Sequence, residues 1–250
     1  MSNELTNRDF WKNYWENKTG LAFKVPANYT FHKIIEKITT GNKVKSAIEL
    51  GGFPGYYAIF LKKYFGVDAT LFDYYIHTGV LDEVLDANGL RRTDIGVIEG
   101  DLFKIQPEKR YDLVLSAGLI EHFNNTKDII ARHLPFLDPG GTLLITLPNF
   151  TGVNGWLQRK YDADNYSKHN ISSMDPQKLA DYCRQLGLQN VKACYYGKFS
   201  VWLENKASQP RSIKVLFKLL WLAGKVATKI VPVESKNLSP YIVVTATKPN

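Results

Sequence analysis

A glycine-rich turn between an apolar run and a helical pattern is the feature that most constrains the fold of this chain. Residues 47–57 read Ala-Ile-Glu-Leu-Gly-Gly-Phe-Pro-Gly-Tyr-Tyr, and they follow an apolar run that begins at Val44. Glycines let the backbone come close to a ligand, and the free N–H groups at the start of the next helix face that ligand. The order of strand, turn and helix therefore predicts a nucleotide-type binding loop, although structural turns without a ligand share this local pattern.

The length and the cysteine content limit the class of protein. The 250 residues suit either one α/β domain with an insertion or two small domains. The first 17 residues mix charges with aromatic side chains, and no apolar run reaches the ~20 residues of a membrane span, so we expect neither a signal peptide nor a spanning helix. Cys183 and Cys194 have no metal-ligand spacing, which makes a reducing cytoplasm the expected location.

The positive charge is concentrated in one segment. The net charge of the chain is +8, and residues 205–239 contain seven Lys or Arg side chains and one acid, Glu234, which gives that segment +6. The rest of the chain is nearly neutral. This distribution argues against a broad nucleic-acid-binding surface.

Apolar runs alternate with amphipathic runs along the chain, which predicts a parallel sheet covered by helices on both faces. The expected strands are Ser46–Leu50, Ala69–Asp73, Gly96–Glu99, Asp112–Ser116, Thr142–Leu147, Val191–Trp202 and Tyr241–Lys248. The expected helices are Tyr56–Phe65, Gly79–Ala87, Lys127–Leu137 and Pro176–Leu186, and residues 138–141 (Asp-Pro-Gly-Gly) predict a turn before the fifth strand.

Acidic residues close three of the predicted strands. Glu49 ends the first, Asp73 ends the second and Asp101 follows the third. Ligands bind at the carboxyl ends of strands in open α/β sheets, where a carboxylate can accept hydrogen bonds from hydroxyl groups or from an amine. Because the glycine loop contains no Lys or Arg, it favours a sulfonium cation over a nucleotide phosphate.

These motifs resemble those of the class I S-adenosylmethionine-dependent methyltransferases. The resemblance covers roughly residues 30–204 and 240–249 and rests on residues 49–55, Asp73, 100–102, 111–114, 120–123 and 139–144. It implies one domain over residues 1–250 with a Rossmann-like three-layer α/β sandwich. Its seven-stranded, mostly parallel sheet would have the order 3-2-1-4-5-7-6 with the last strand antiparallel. It also implies S-adenosylmethionine as cofactor and S-adenosylhomocysteine as product.

The resemblance assigns the cofactor contacts residue by residue. The glycines of the loop would pass the methionine part, Asp73 would bind the ribose diol, and Asp101 and the N–H of Leu102 would bind the adenine. Phe53 stands where the family usually has a glycine. The full candidate set is Glu49, Gly51, Gly52, Phe53, Gly55, Asp73, Tyr74, Asp101, Leu102, Ser116, Ala117 and Gly118.

Three residues are candidates for a catalytic base: Glu121, His122 and His169. A base is needed only when the acceptor must lose a proton. Alternatively, His122 packs at a strand–helix junction and His169 lies in a solvated loop. Related quinone methyltransferases that bind a metal carry an acid three residues before the Glu, and Gly118 stands there in this chain, so no metal is expected.

Two segments are expected to border the acceptor. Residues 149–175 correspond to the acceptor-binding insert of similar enzymes, and their polar and aromatic side chains suit a polar molecule. Residues 1–30 would form either a lid or a packing helix.

The basic segment, residues 205–239, is an amphipathic insert before the last strand. Its cations at positions 211, 214, 218, 225 and 229 fall within roughly 60° on a helix, and the rest of that helix is apolar. Residues 211–231 would cover the protein's own pocket, lie on a membrane surface or form a homodimer interface.

The predicted function is methyl transfer from S-adenosylmethionine to an oxygen or nitrogen atom of a small or lipid-linked polar acceptor. A cofactor-binding scaffold without catalysis and a nicotinamide-dependent oxidoreductase are the alternatives. The expected location is the cytoplasm, at the inner membrane surface if the basic helix binds lipid.

Overall fold

Seven strands form one sheet in the order β3-β2-β1-β4-β5-β7-β6, as the sequence predicted. This computed structural model describes residues 4–230 and 233–250; positions 1–3 of the expected N-terminal lid and 231–232 of the basic insert lie outside the described residues. The strands are β1 Ser46–Leu50, β2 Asp68–Asp73, β3 Gly96–Glu99, β4 Tyr111–Ala117, β5 Leu137–Pro148, β6 Gln189–Tyr196 and β7 Tyr241–Thr247. β7 pairs antiparallel with both β5 and β6, so it alone runs against the other six.

Helices cover both faces of the sheet. They are α1 Arg8–Asn17, α2 His32–Gly41, α3 Tyr56–Phe65, α4 Thr78–Ala87, α5 Thr126–Ala131, α6 Val153–Tyr161, α7 Ala163–Ser167, α8 Pro176–Gln185 and α9 Arg211–Ile230. The central strands are buried on both sides, and the apolar side chains that cover them form two large clusters. This three-layer arrangement explains why β1, β2 and β4 read as continuous apolar runs rather than alternating ones.

The predicted turn at residues 138–141 is wrong, because those residues belong to β5. Tyr111 of β4 pairs with Leu137, whereas Leu113 pairs with Thr142, so β5 has extra residues in an irregular stretch of the ladder. The N–H of Gly140 donates to the carbonyl oxygen of Lys248 at 2.9 Å, which keeps this stretch joined to the end of the chain. The Pro-Gly-Gly sequence produces a bulge within the strand.

The predicted helix Lys127–Leu137 is too long. Helix α5 ends at Ala131, and a separate 3₁₀ turn covers Leu134–Phe136. Pro135 has no N–H to donate to the carbonyl oxygen of Ala131, four residues before it, which accounts for the break. In contrast, α8 ends as expected, with Gly187 at a φ of 83° just beyond it.

The predicted strand Val191–Trp202 is also too long, since β6 ends at Tyr196. The basic segment after it contains α9, which packs through Phe217 against a small cluster formed by Leu157, Val201 and Leu203. Among the described residues, we find no helix whose length and apolar character would let it cross a bilayer.

Candidate active site

A cavity of about 410 Å³ lies at the carboxyl ends of the strands. Its walls come from the glycine loop, from the residues that follow β2, β3 and β4, from α1, and from the 149–175 segment. The volume is within the ~300–1,000 Å³ typical of ligand pockets. The topology thus brings residues from distant parts of the sequence to one edge of the sheet.

The glycine loop has the backbone geometry that its sequence predicted. Gly51 has a φ of 62° and Gly55 a φ of 93°, in the left-handed region that favours glycine. A side chain at Gly52 would overlap Glu49, and a side chain at Gly51 would meet the Cδ1 atom of Leu119 at 2.5 Å. The bare backbone of Gly51 therefore forms the cavity wall.

Glu49 supports the loop from behind. It is 3% exposed, and its Oε2 atom accepts a hydrogen bond of 2.8 Å from the N–H of Ala58 in the first turn of α3. Burial raises the pKa of Glu49, and the hydrogen bond from Ala58 offsets part of this increase, so the pKa is about 8. Glu49 holds the start of α3 against β1 and does not line the main cavity.

Asp73, the last residue of β2, lies in the wall of the cavity. Its Oδ2 accepts from the N–H of Phe53 at 2.8 Å, and its Oδ1 accepts from the N–H of Tyr75 at 3.2 Å. Burial raises the pKa of Asp73 to about 6. Each oxygen keeps a further lone pair for a ligand hydroxyl, because a carboxylate offers about four acceptor positions.

Asp101 and its neighbours after β3 form another part of the cavity wall. Asp101 accepts from the N–H of Phe103 at 2.9 Å and pairs with Lys104 at 3.1 Å. The predicted contacts that line the cavity are Gly51, Phe53, Asp73, Tyr74, Asp101, Leu102, Ala117 and Gly118.

Four predicted cofactor residues lie outside the lining of this cavity: Glu49, Gly52, Gly55 and Ser116. The hydroxyl of Ser116 is 2.9 Å from Nε2 of the buried His133, whose Nδ1 is 2.9 Å from the carbonyl oxygen of Ile129. This pairing fixes Ser116 within the protein interior. Direct contact of these four residues with a cofactor stays a prediction.

The structure brings the two candidate histidines together. The ring centroids of His122 and His169 are 4.7 Å apart, and both rings line the cavity. Nδ1 of His122 lies 3.0 Å from the carbonyl oxygen of Lys168, and Nδ1 of His169 lies 2.7 Å from that of Asn165. Because a carbonyl only accepts, each Nδ1 carries the hydrogen and each Nε2 has a free lone pair.

Burial keeps both imidazoles neutral. It lowers the pKa of His122 to about 3, with a further lowering by His169, and it also lowers the pKa of His169. The interpretation of His169 as part of a solvated loop is wrong, since the residues around it form α6, α7 and a 3₁₀ turn. A neutral imidazole with a free Nε2 is the form that accepts a proton.

Glu121 completes this group. It is 1% exposed, its Oε2 atom has no hydrogen-bond partner, and burial raises its pKa to about 8. Glu121, His122 and His169 each offer a ligand atom within 4.8 Å of the others, a grouping that could hold a metal ion. The fold brings His169 to this group from another segment of the chain, and the absence of a metal stays a prediction.

Several wall residues were not predicted as site residues, among them Trp202 and Glu204. Glu204 accepts a hydrogen bond of 2.6 Å from the hydroxyl of Tyr14 and pairs with Lys18, so it joins the N-terminal segment to the residues after β6. Their position in the sequence offered a signal, because β6 is parallel to the central strands and its carboxyl end lies at the same edge of the sheet.

Comparison with known proteins decides the family. Residues 26–193 match a protein family described as a methyltransferase domain, which is more than half of the chain. The chain belongs to this methyltransferase family. The predicted resemblance to class I S-adenosylmethionine-dependent methyltransferases is confirmed, together with the sheet order and the enzyme class.

Individual relatives agree with this assignment. A malonyl-[acyl-carrier protein] O-methyltransferase of Priestia megaterium is 24% identical over 196 residues, which cover 72% of this chain and 69% of that protein. A methyltransferase structure from Archaeoglobus fulgidus has a TM-score of 0.55 at 14% identity, with 87% of this chain and 91% of that chain covered.

A third similar structure is the Haemonchus contortus phosphoethanolamine N-methyltransferase 2, in complex with phosphomonomethylethanolamine and S-adenosylhomocysteine. It has a TM-score of 0.63 at 15% identity, and the match covers 97% of this chain and 60% of that chain. At such low identity these structures show that the fold is shared.

The cavity of this methyltransferase fits S-adenosylmethionine, the cofactor of the class. Its described lining contains one amine, Lys168, and five carboxyl side chains. The carboxyl side chains are Glu4, Asp73, Asp101, Glu121 and Glu204. An acidic and aromatic cavity behind a bare glycine backbone suits a sulfonium cation without phosphates.

The raised pKa of Asp73 predicts that cofactor binding weakens in acid. Protonation removes the acceptor that a ligand hydroxyl needs, and it occurs as the pH falls through about 6. We therefore expect the affinity for S-adenosylhomocysteine to decrease below about pH 6, by up to about tenfold per pH unit. Calorimetric titrations of wild type and Asp73→Asn across this range measure the effect. A wild-type affinity that stays constant in acid, or that changes in parallel with the variant, would contradict it.

Proposed function

We propose that this methyltransferase transfers the methyl group of S-adenosylmethionine to an oxygen or nitrogen atom that must lose a proton, on a small or lipid-linked polar acceptor. The observation that carries the proposal is the pair of neutral imidazoles, His122 and His169, in the wall of the cavity that also contains Asp73 and the glycine loop. An acceptor that is already deprotonated would need no base at this position.

The cofactor, when bound, supplies a methyl group that its sulfonium has already activated. The residues of the chain orient the reactants, which is the largest contribution available in an in-line displacement, with effective molarities that reach ~10⁵ M or more. Asp73 and Asp101 hold the cofactor from the carboxyl ends of the strands. Nε2 of His169 takes the proton of the acceptor, while the carbonyl of Asn165 keeps Nδ1–H in place.

The position of helix α1 supports the proposal, because four of its aromatic side chains line the cavity. The ring of Trp11 is 5.0 Å from that of His122, and the ring of Trp15 is 5.1 Å from that of Phe53. Of the two expected roles for this segment, these contacts favour the lid, because a water-excluded site strengthens the interactions inside it.

The acceptor is proposed to bind against the 149–175 segment. Phe150, Asn165, Lys168 and His169 from this segment line the cavity. Lys168 lies over the ring of Phe10 in α1, with its amine 5.0 Å from the ring centroid.

We also propose a cytoplasmic location for the enzyme. Both of its cysteines are free, which is compatible with a reducing compartment.

Methyl transfer to a panel of acceptors tests the function. The panel contains alcohols, phenols, carboxylic acids and amines, each in water-soluble and lipid-linked form, and release of S-adenosylhomocysteine is the readout. We expect turnover with at least one O–H or N–H acceptor. Binding of S-adenosylhomocysteine without any turnover would favour the scaffold alternative, and binding of NAD in its place would favour the oxidoreductase.

The same assay tests the absence of a metal. The protein is treated with a chelator, and metal analysis checks that it then contains no metal. We expect turnover by this protein to be unchanged. If turnover were lost and then restored by a divalent cation, Glu121, His122 and His169 would be metal ligands and the proposed base would be wrong.

A further inference from the structure

The basic helix α9 has two different apolar faces. On its inner face, Ile213, Phe217 and Leu220 pack against the cluster that contains Leu157 and Val201. A side chain at Gly224 would overlap the ring of Phe199, so this face is in close contact with the domain as far as its fourth turn. One side of the helix therefore packs on its own domain, and the expectation that it covers the substrate pocket stays a prediction.

The outer face carries a second apolar stripe that the domain leaves uncovered. Val215, Leu219, Leu222 and Val226 are between 50% and 59% exposed. At about 100° per residue they fall within about 60° of one another, roughly opposite the inner face. Single exposed apolar residues are common on proteins, but a stripe over three turns indicates an interaction surface.

Cations lie along one edge of this stripe. Arg211, Lys214 and Lys218 are exposed, and Lys225 lies over the ring of Trp221 with its amine 4.6 Å from the ring centroid. The sequence of α9 contains no acidic residue. Trp221, which is 43% exposed, lies beside this cationic edge, as tryptophan does at the boundary between lipid tails and headgroups.

We propose that the outer face of α9 docks the enzyme onto an anionic lipid bilayer, with the apolar stripe below the headgroups and the cations among them. Anionic lipid is the occupant that complements this charge, because its headgroups attract basic residues near the membrane surface. A second copy of the chain would instead place two acid-free, lysine-bearing helices side by side, and their like charges would repel.

A second cavity lies beside helix α9. It has a volume of about 540 Å³ and lies between α9 and residues 200–203. Its wall combines apolar side chains with the basic groups Lys206, Arg211, Lys214 and Lys218. Trp202 lines both this cavity and the active-site cavity. On the proposed function, an amphiphile taken from the bilayer would place its apolar part here and its polar part beside His169.

Co-sedimentation with vesicles tests the docking without any acceptor. Vesicles of phosphatidylcholine alone are compared with vesicles of equal parts phosphatidylcholine and phosphatidylglycerol. We expect binding to the anionic vesicles that weakens with added salt. The double variant Lys214→Gln/Lys218→Gln should bind about 30-fold more weakly, since it loses two basic residues. Lys33→Gln/Lys37→Gln, with the same charge change on exposed positions of α2, should bind as wild type does.

The apolar stripe is tested separately. We expect Leu219→Glu/Leu222→Glu to abolish vesicle binding while affinity for S-adenosylhomocysteine stays at the wild-type value, which shows that the variant is folded. Failure of wild type to bind anionic vesicles would overturn the proposal. So would a wild-type dimer in light scattering that this variant dissociates, because the stripe would then belong to a second copy. Vesicle binding does not depend on turnover, so the docking and the proposed function fail independently.

Discussion

Replacement of Asp73 by alanine is expected to weaken the binding of S-adenosylhomocysteine by about 1.5–3 kcal/mol, or roughly 10- to 150-fold. The carboxylate is the one polar side chain that ends β2 inside the cavity, and its oxygens are held by the N–H groups of Phe53 and Tyr75. Loss of the side chain removes the acceptor for ligand hydroxyls and also releases the backbone of the glycine loop. Both effects weaken binding in the same direction.

A carboxylate at the opposite edge of the sheet gives a matched control. Asp112 accepts hydrogen bonds of 2.9 Å from the N–H groups of Lys45 and Ser46, far from the cavity lining. We expect Asp112→Ala to affect thermal stability and to leave ligand affinity at the wild-type value. Isothermal titration calorimetry and thermal unfolding of both variants separate the two effects. Equal loss of affinity in both variants would mean that Asp73 acts through general stability.

Replacement of His169 by alanine is expected to reduce kcat by about 10²- to 10⁴-fold for an acceptor that must lose a proton. The ring stands 4.7 Å from that of His122 and 4.9 Å from that of Phe150, so its position is fixed by packing as well as by the bond to Asn165. Affinity for S-adenosylhomocysteine should change little, because the proposed cofactor contacts, Asp73 and Asp101, belong to other elements of the cavity wall. The measurement is steady-state turnover together with calorimetric binding.

The pH profile distinguishes a base from a packing residue. Burial lowers the pKa of His169 below its usual value of 6.5, so the neutral, active form persists in mild acid and the acidic limb of the profile should begin below pH 6.5. His32→Ala, on α2, is the control and should keep wild-type kinetics. If His169→Ala retained most of its turnover and an unchanged pH profile, His122 would be the remaining imidazole to test.

The sequence predicted the elements around the glycine loop most accurately. The bounds of β1, β3 and α3 agree residue for residue with the structure, because a glycine follows each of these elements and a glycine also marks the start of β3 and α3. The predicted bounds of an element were wrong where one residue type can form two different kinds of structure. The glycines at 140 and 141 form a bulge within β5, although glycine pairs usually predict a turn.

The acceptor side of the candidate site was harder to predict from the sequence. Asp73 and Asp101 stand at the carboxyl ends of predicted strands, so their place in the cavity wall was predictable from topology, and their contact with the cofactor stays a prediction. Trp202 and Glu204 reach the cavity through an irregular segment after β6, and no local period predicts where such a segment turns. Ser116 lies one residue before the end of the central strand β4, yet its hydroxyl pairs with the buried His133 and it does not line the cavity.

Because β7 runs in the reverse direction, the connection between β6 and β7 lies beside the opening of the active-site cavity and can vary in length. Tyr196 at the end of β6 and Pro148 at the end of β5 both pair with Tyr241, the first residue of β7. The connection that carries α9 therefore begins and ends beside the catalytic opening, not on the far side of the sheet. Lengthening or shortening this connection leaves every strand pairing intact. Changes in this one connection can therefore alter the location of such an enzyme and the acceptor that it binds, while the cofactor-binding part of the fold stays the same.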